Sequence, residues 1–395
     1  MSARPGGAGG NVPPLSTRAA RARARTEIMM LTDGRTLGIA LSGGGYRATL
    51  FGLGSLWRLN DAGLLGRLDR VTSVSGGSIL AGVLAHRWSA LTFEGGRASN
   101  FAQLVADPVR AFCSRTIDIE AGVLGLLTPF KTAGDFLAER YREDLFGDTT
   151  LKDLPVAGDN PHFIFYATNM QTGRSFRFRQ DMIADYMLGI SRSTHVDLAV
   201  AVAASSAFPP LFSPVVLQTD PDNWSEGRPL PALESLRRRI VLADGGIYDN
   251  MGLESLVDNV DLVLVSDAGA PFEIEESPWE DNLLQLGRVR DILIDQTRAL
   301  RKRWLIADFE ARRKHGAYWG IGTRMAAYGA APGMTADSPT SRALEDIPTR
   351  LNAFKPARQG HLINWGYALC DVSLRERAHL TAPQPTAWPV PEWPL

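Results

Sequence analysis

The sequence predicts an α/β protein on a mostly parallel central sheet, and three observations carry that reading. Short, wholly apolar runs recur along the chain, each ending in glycine or polar residues. Stretches with helical spacing follow the first of these runs. A largely helical insertion, residues 96–160, interrupts the alternation. Runs that are apolar at successive positions suit strands buried on both faces, beneath helices on either side of the sheet. In such folds the reacting groups gather at the strand C-terminal ends.

Taken in order, Leu37 to Leu41 is the first buried run; glycines follow, then a periodic stretch from Ala48 to Leu65 that predicts a helix. Val71 to Val74 is β-branched and ends at Ser75-Gly76-Gly77, after which Ile79, Leu80, Val83 and Leu84 take up helical spacing. Phe163 to Ala167, Ile240 to Ala243 and Leu262 to Val265 are further strands of the same kind. Inside the insertion, Gly122 to Phe130 is apolar on all sides, with Gly122 at its start and Pro129 near its end. It reads as a loop folded onto the core, with a mobile lid or membrane-touching loop as the alternative.

The 395 residues are 45% apolar and 22% charged, with 42 Lys and Arg against 43 Asp and Glu. Wholesale disorder is excluded, because such a chain can bury enough apolar surface to offset its conformational entropy. The balanced charge argues against a nucleic-acid partner. Cys113 and Cys370 are the only cysteines, too few for a disulfide framework, and the chain shows no metal-ligand spacing. With no membrane-spanning run and no signal-like segment, a cytoplasmic location is expected, with contact to membranes peripheral and transient. Residues 1–26, rich in Gly, Pro and Arg, read as a disordered tail, with an electrostatic arm for anionic lipid as the alternative. Residues 381–395 interleave five prolines with Trp388 and Trp393 and read as a strap over the protein's own surface. The basic stretch Arg298 to Lys314 alternates with Trp304, Leu305, Ile306 and Phe309, as an amphipathic helix would. It reads as a solvated face, with interfacial binding as the alternative.

Two glycine turns and one aspartate carry the chemistry. Ser42-Gly43-Gly44-Gly45-Tyr46-Arg47 follows a buried strand and opens a helix, so its N–H groups can point outward into a concavity for negative charge. Gly43 to Ala48 also fits the dinucleotide pattern G-x-G-x-x-A. That pattern expects a ribose-binding acid at the end of the second strand, where Ser73 and Ser75 stand instead. Ser73-Val74-Ser75-Gly76-Gly77 has the form of a nucleophile elbow with serine in place of its first glycine. Acyl transfer needs such a nucleophile and nearby donors for the developing oxyanion. None of the six histidines sits in a motif suited to catalysis, so Asp244, before Gly245 and Gly246, is the better base; Asp267 occupies a comparable strand end and is its rival.

Together these segments resemble the patatin-like phospholipases: Gly43, Gly44, Gly45 and Arg47; Ser75 with Gly77; Asp244 with Gly245 and Gly246. Ala167 to Gly173 and Ala204 to Pro210 are similar to the family as well, so the motifs span residues 36–270 of an expected 36–380 domain. The resemblance implies a three-layer α/β/α sandwich, a Ser75–Asp244 dyad working through an acyl-enzyme, and an oxyanion hole at Gly43–Gly45. It implies phospholipid or lysophospholipid substrates and no cofactor. Arg47 is expected to anchor the glycine turn. A soluble carboxylesterase or thioesterase, or an effector active only when a partner or small ligand assembles it, are the alternatives.

Overall fold

A computed structural model describes residues 34–117, 132–210, 212–272, 274–278, 281, 285–329 and 333–395. The expected tail and the apolar Val123–Phe130 segment lie outside them. Leu37–Leu41 forms β1, and α1 (Gly45–Asp61) follows directly on the glycine turn. β2 (Leu68–Val74) and α2 (Gly76–Arg87) repeat the unit, with Ser75 alone between them. A short hairpin of β3 (Phe93–Glu94) and β4 (Arg97–Ala98) leads into α3 (Asp107–Phe112) and α4 (Ala133–Tyr141), so the described part of the insertion is mainly helical. The chain continues through β5 (His162–Asn169), β6 (Arg174–Phe178), β7 (Ile183–Asp185), β8 (Gly189–Ser191) and α5 (Leu198–Ser206). β9 (Val215–Gln218), β10 (Trp224–Ser225), α6 (Leu233–Arg238) and β11 (Arg239–Asp244) precede the one-turn α7 (Gly246–Asp249). The last part holds β12 (Leu262–Asp267), α8 (Gln285–Glu310), β13 (His315–Gly320), α9 (Pro339–Ala343) and α10 (Pro356–Glu376).

Five central strands, ordered β13-β12-β1-β2-β5, are mutually parallel. Beyond β5 the sheet turns antiparallel through β6, β7, β8 and β10. Alternation along the central strands separates two apolar layers. Ile39, Leu41, Leu262 and Leu264 face a large core with α1, α2 and α10, while Ala40, Val263 and Val265 face a smaller one with Met251, Leu256 and Leu305 of α8. The result is the α/β/α sandwich that the sequence predicts, on a mixed sheet whose central strands are parallel.

One strand departs from that prediction. β11 runs antiparallel to β5, because it enters the sheet after the antiparallel excursion. β6 occupies one edge of β5 over Phe165–Asn169, so β2 and β11 share the other edge: Val74 pairs with Tyr166, and Asp244 with Ala167. The two strands therefore point at each other along β5, and their C-terminal residues meet.

The C-terminal third is part of the core. Helix α10 lies across α1 so closely that a methyl group at Gly54 would come within 1.9 Å of Ile363 O, and one at Gly366 within 2.0 Å of Phe51 O. The buried Arg58–Asp371 pair, 2.8 Å apart, joins the same two helices. Trp393 covers Gly360 on α10, and the Asn364 amide donates to Val390 O and Trp393 O. Among the described residues no helix is long and apolar enough to cross a membrane.

Candidate active site

Ser75 sits at φ 53° and ψ −121°, a left-handed backbone that is costly for a residue with a side chain. The strain is held from several sides. The Ser75 N–H donates to Ser205 Oγ at 3.0 Å, and Ser75 O accepts from Ser78 and Ile79 N–H. A line of hydroxyls continues inward: Ser205 and Ser78 lie 2.8 Å apart, Ser78 donates to Ser73, and Ser73 donates to Ile164 O. Ser73, the residue that departs from the elbow pattern, is thus part of the brace. Glycine is required at 76 because a methyl there would lie 2.1 Å from Gly45 O: the two turns touch backbone to backbone.

Asp244 lies at the head of β11, 2% exposed. Its carboxylate accepts from the Ser75 hydroxyl and, at 2.7 Å, from the Gly246 N–H. Burial raises its pKa to about 6, against the lowering effect of those two hydrogen bonds. Its backbone is fixed by α5 and β5: Asp244 N–H donates to Ala207 O, Gly245 N–H to Ser205 O, and the Thr168 hydroxyl to Asp244 O. The end of α5 therefore positions both Ser75 and Asp244.

The rival carboxylate is already committed. Asp267 is fully buried and accepts from Arg298 at 2.9 Å and 3.1 Å, from the Tyr318 hydroxyl at 2.7 Å and from Gly269 N–H. Burial would raise its pKa, yet it is held below the usual carboxylate range by Arg298 first and by these hydrogen bonds. Arg47 is also structural: its guanidinium donates to Ala268 O, Glu345 O and Ile347 O, tying the start of α1 to two later loops.

The three glycines of the first turn differ from one another. Gly43 N–H is bonded to Asn250 O at 3.0 Å, so it is not available as an oxyanion donor. Gly44 (φ 142°) and Gly45 (φ 54°) have the conformations glycine permits, and their N–H groups begin α1, where no intrahelical acceptor exists. Asn250 follows the aspartate motif closely and is given no role by the sequence reading. Its side chain fills the space between three turns: methyls at Gly43, Gly246 and Gly269 would lie 2.3, 2.6 and 2.8 Å from it. Ser205, Thr168 and Asn250 are what sequence reasoning missed. The first two lie in stretches that resembled the family, which was the available signal.

A family model for patatin-like phospholipases matches residues 39–257, just over half of the chain. The chain belongs to the patatin-like phospholipase family. A Saccharomyces cerevisiae protein named as a meiotic phospholipase, SPO1, is 47% identical over 49 residues, which are 12% of this chain and 8% of that one. Among solved structures, human GIVD cytosolic phospholipase A2 is similar over 92% of this chain and 65% of its own, at 13% identity and a TM-score of 0.48. VipD from Legionella pneumophila is similar over 85% and 66%, at 16% identity and a TM-score of 0.36. The chain thus spans less than two thirds of the human protein and under a tenth of the yeast one.

Proposed function

We propose that the protein is a serine acyl hydrolase that cleaves carboxylic ester bonds of glycerophospholipids or lysophospholipids through a Ser75–Asp244 dyad. The observation that carries this reading is the junction of β2 and β11: a strained serine whose hydroxyl reaches a buried carboxylate with a pKa near the working range of a base. Asp244 takes the Ser75 proton as Oγ attacks the ester carbonyl. The oxyanion is received by the N–H groups of Gly44 and Gly45, Gly43 being bonded elsewhere. Collapse expels the alcohol, which recovers the proton from Asp244. Water then repeats the sequence on the acyl-enzyme and releases the fatty acid.

The test is hydrolysis of phospholipid and lysophospholipid by wild type, Ser75→Ala and Asp244→Asn, with a fluorophosphonate to mark the nucleophile. Each variant should lose about 10⁴-fold or more of turnover, non-additively. The adduct should fall on the peptide carrying Ser75. An active Ser75→Ala enzyme, or an adduct elsewhere, would overturn the dyad. Turnover of soluble esters alone would place the protein among carboxylesterases of the same chemistry.

A further inference from the structure

Helix α8 is bound on one side and bare on the other. Its inner side is tied to the loops around the candidate site. Arg290 donates to Pro209 O at 3.2 Å, Arg298 holds Asp267, and Arg301 donates to Tyr248 O at 3.1 Å, while Leu305 is fully buried in the small core. Arg298 also borders Gly269, whose other neighbour is Asn250, so one side chain separates α8 from the glycine turn beside Ser75.

The outer side carries Leu286, Val289, Leu293, Leu300 and Trp304, each 48–61% exposed. At about 100° per residue these five fall within about 60° of arc, along about 27 Å of helix. Single exposed apolar residues are ordinary, but five on one face, interrupted only by Gln296 and Thr297, mark a contact surface. Ile274, 89% exposed, precedes the helix in a segment that is tied to it where Arg288 stacks on Phe272 and pairs with Glu275.

Charge indicates what that surface meets. Arg303, at the edge of the stripe beside Trp304, and Arg312, just past the helix, are exposed and have no ion-pair partner among the described residues. An aromatic side chain next to cations at the rim of an apolar stripe suits the headgroup level of an anionic bilayer. A second copy of the chain would bring the same cations to one seam.

We propose that the outer face of α8 is the surface by which this protein docks on anionic membranes, with Leu293, Leu300 and Trp304 entering the headgroup–acyl boundary. The inner face of the same helix would hold the Asp244 and Asp267 turns in register with the lipid. The proposal rests on the reading of the site as a lipid acyl hydrolase.

The experiment compares wild type with Leu293→Ser/Leu300→Ser by sedimentation with vesicles of two parts phosphatidylcholine to one part phosphatidylglycerol. Turnover of a short soluble ester is measured alongside. The double variant should bind vesicles about tenfold more weakly or worse, with soluble-ester turnover unchanged. Wild type should prefer these vesicles to phosphatidylcholine alone. Wild-type binding by the double variant overturns the proposal. A second measurement does not depend on that variant: Leu300→Cys carries a polarity-sensitive fluorophore, both native cysteines being buried. Its emission should shift to the blue on adding vesicles, and unchanged emission overturns the proposal. A wild-type dimer that the double variant splits assigns the face to a second copy and also overturns it. Failure of wild type to cleave either the vesicle phospholipid or the soluble ester, with vesicle binding and the blue shift intact, would remove the proposed reaction and leave the docking surface standing.

Discussion

Two buried aspartates at the C-terminal ends of β11 and β12 behave in opposite ways, and their difference is one of partners. Asp267 has Arg298 and Tyr318 against it; Asp244 has only hydrogen bonds from Ser75 and Gly246. The folded-state pKa of Asp244, about 6, exceeds the unfolded value of about 3.9. The folded state therefore binds this proton more tightly. The stability this contributes is complete below about pH 4 and is lost as pH rises through about 6, a difference of about 3 kcal/mol. Asp244→Asn, which can still accept from Gly246 and donate to Ser75, should abolish hydrolysis. It should also raise Tm by a few degrees at about pH 8 and leave it unchanged at about pH 4. Asp267 is shifted down, so its contribution is present above the unfolded value and lost as pH falls. Asp267→Asn strands Arg298 and should lower Tm at neutral pH, by about 3 kcal/mol or more of stability. Scanning calorimetry at the two pH values decides the assignment: if both variants move Tm in the same direction, Asp244 is not the unpaired carboxylate. The same titration predicts that kcat/KM rises through about pH 6 and then levels off. A flat profile across that range, with chemistry rate-limiting, would deny Asp244 the role of base.

At the level of elements, the site exists because β2 and β11 meet head to head along one edge of β5. Ser75, Asp244 and the glycine turn were legible in the sequence because each sits at a turn whose residue types are locally demanding: a left-handed serine, a run of glycines, an aspartate before two more. The direction of β11 was not legible, since an apolar run ending in a polar residue looks the same in either orientation. Nor was the brace of Ser205, Ser78 and Ser73, because hydroxyls joined across 127 positions of chain leave no local pattern. Ser205→Ala removes the acceptor for the Ser75 N–H and should cost about 1–3 kcal/mol. Because the strained serine then relaxes, kcat should fall while KM changes little. A loss confined to KM, measured on a soluble ester, would show that the brace does not set the nucleophile.

Over the whole molecule, motif recognition stopped at residue 270, yet the chain beyond it is as deeply built in as the chain before. β13 covers the edge of β12, and α10 lies on α1 with Ile363, Trp365 and Leu369 fully buried. This third was silent in the sequence because its work is packing, and packing is satisfied by many apolar combinations. Gly366 is an exception that can be seen only in three dimensions: its missing side chain lets the two helices touch. Gly366→Ala should cost about 3 kcal/mol, since the obstructing atom is backbone and cannot rotate away. The larger consequence concerns the boundary of the domain. A fragment ending at residue 270 keeps Gly43–Gly45, Ser75 and Asp244, but it exposes the α1 face that α10 covers, unpairs the β12 edge and leaves Arg58 without Asp371 and Asp267 without Arg298. Each stranded buried charge alone costs about 3–5 kcal/mol, and a whole domain is stable by only about 5–15 kcal/mol. The fragment should therefore fail to fold, with no cooperative thermal transition and rapid proteolysis throughout, although it contains every motif residue. A fragment that melts cooperatively and takes the fluorophosphonate at Ser75 would show that the catalytic unit ends where the motifs do, and that the last third is an appended layer.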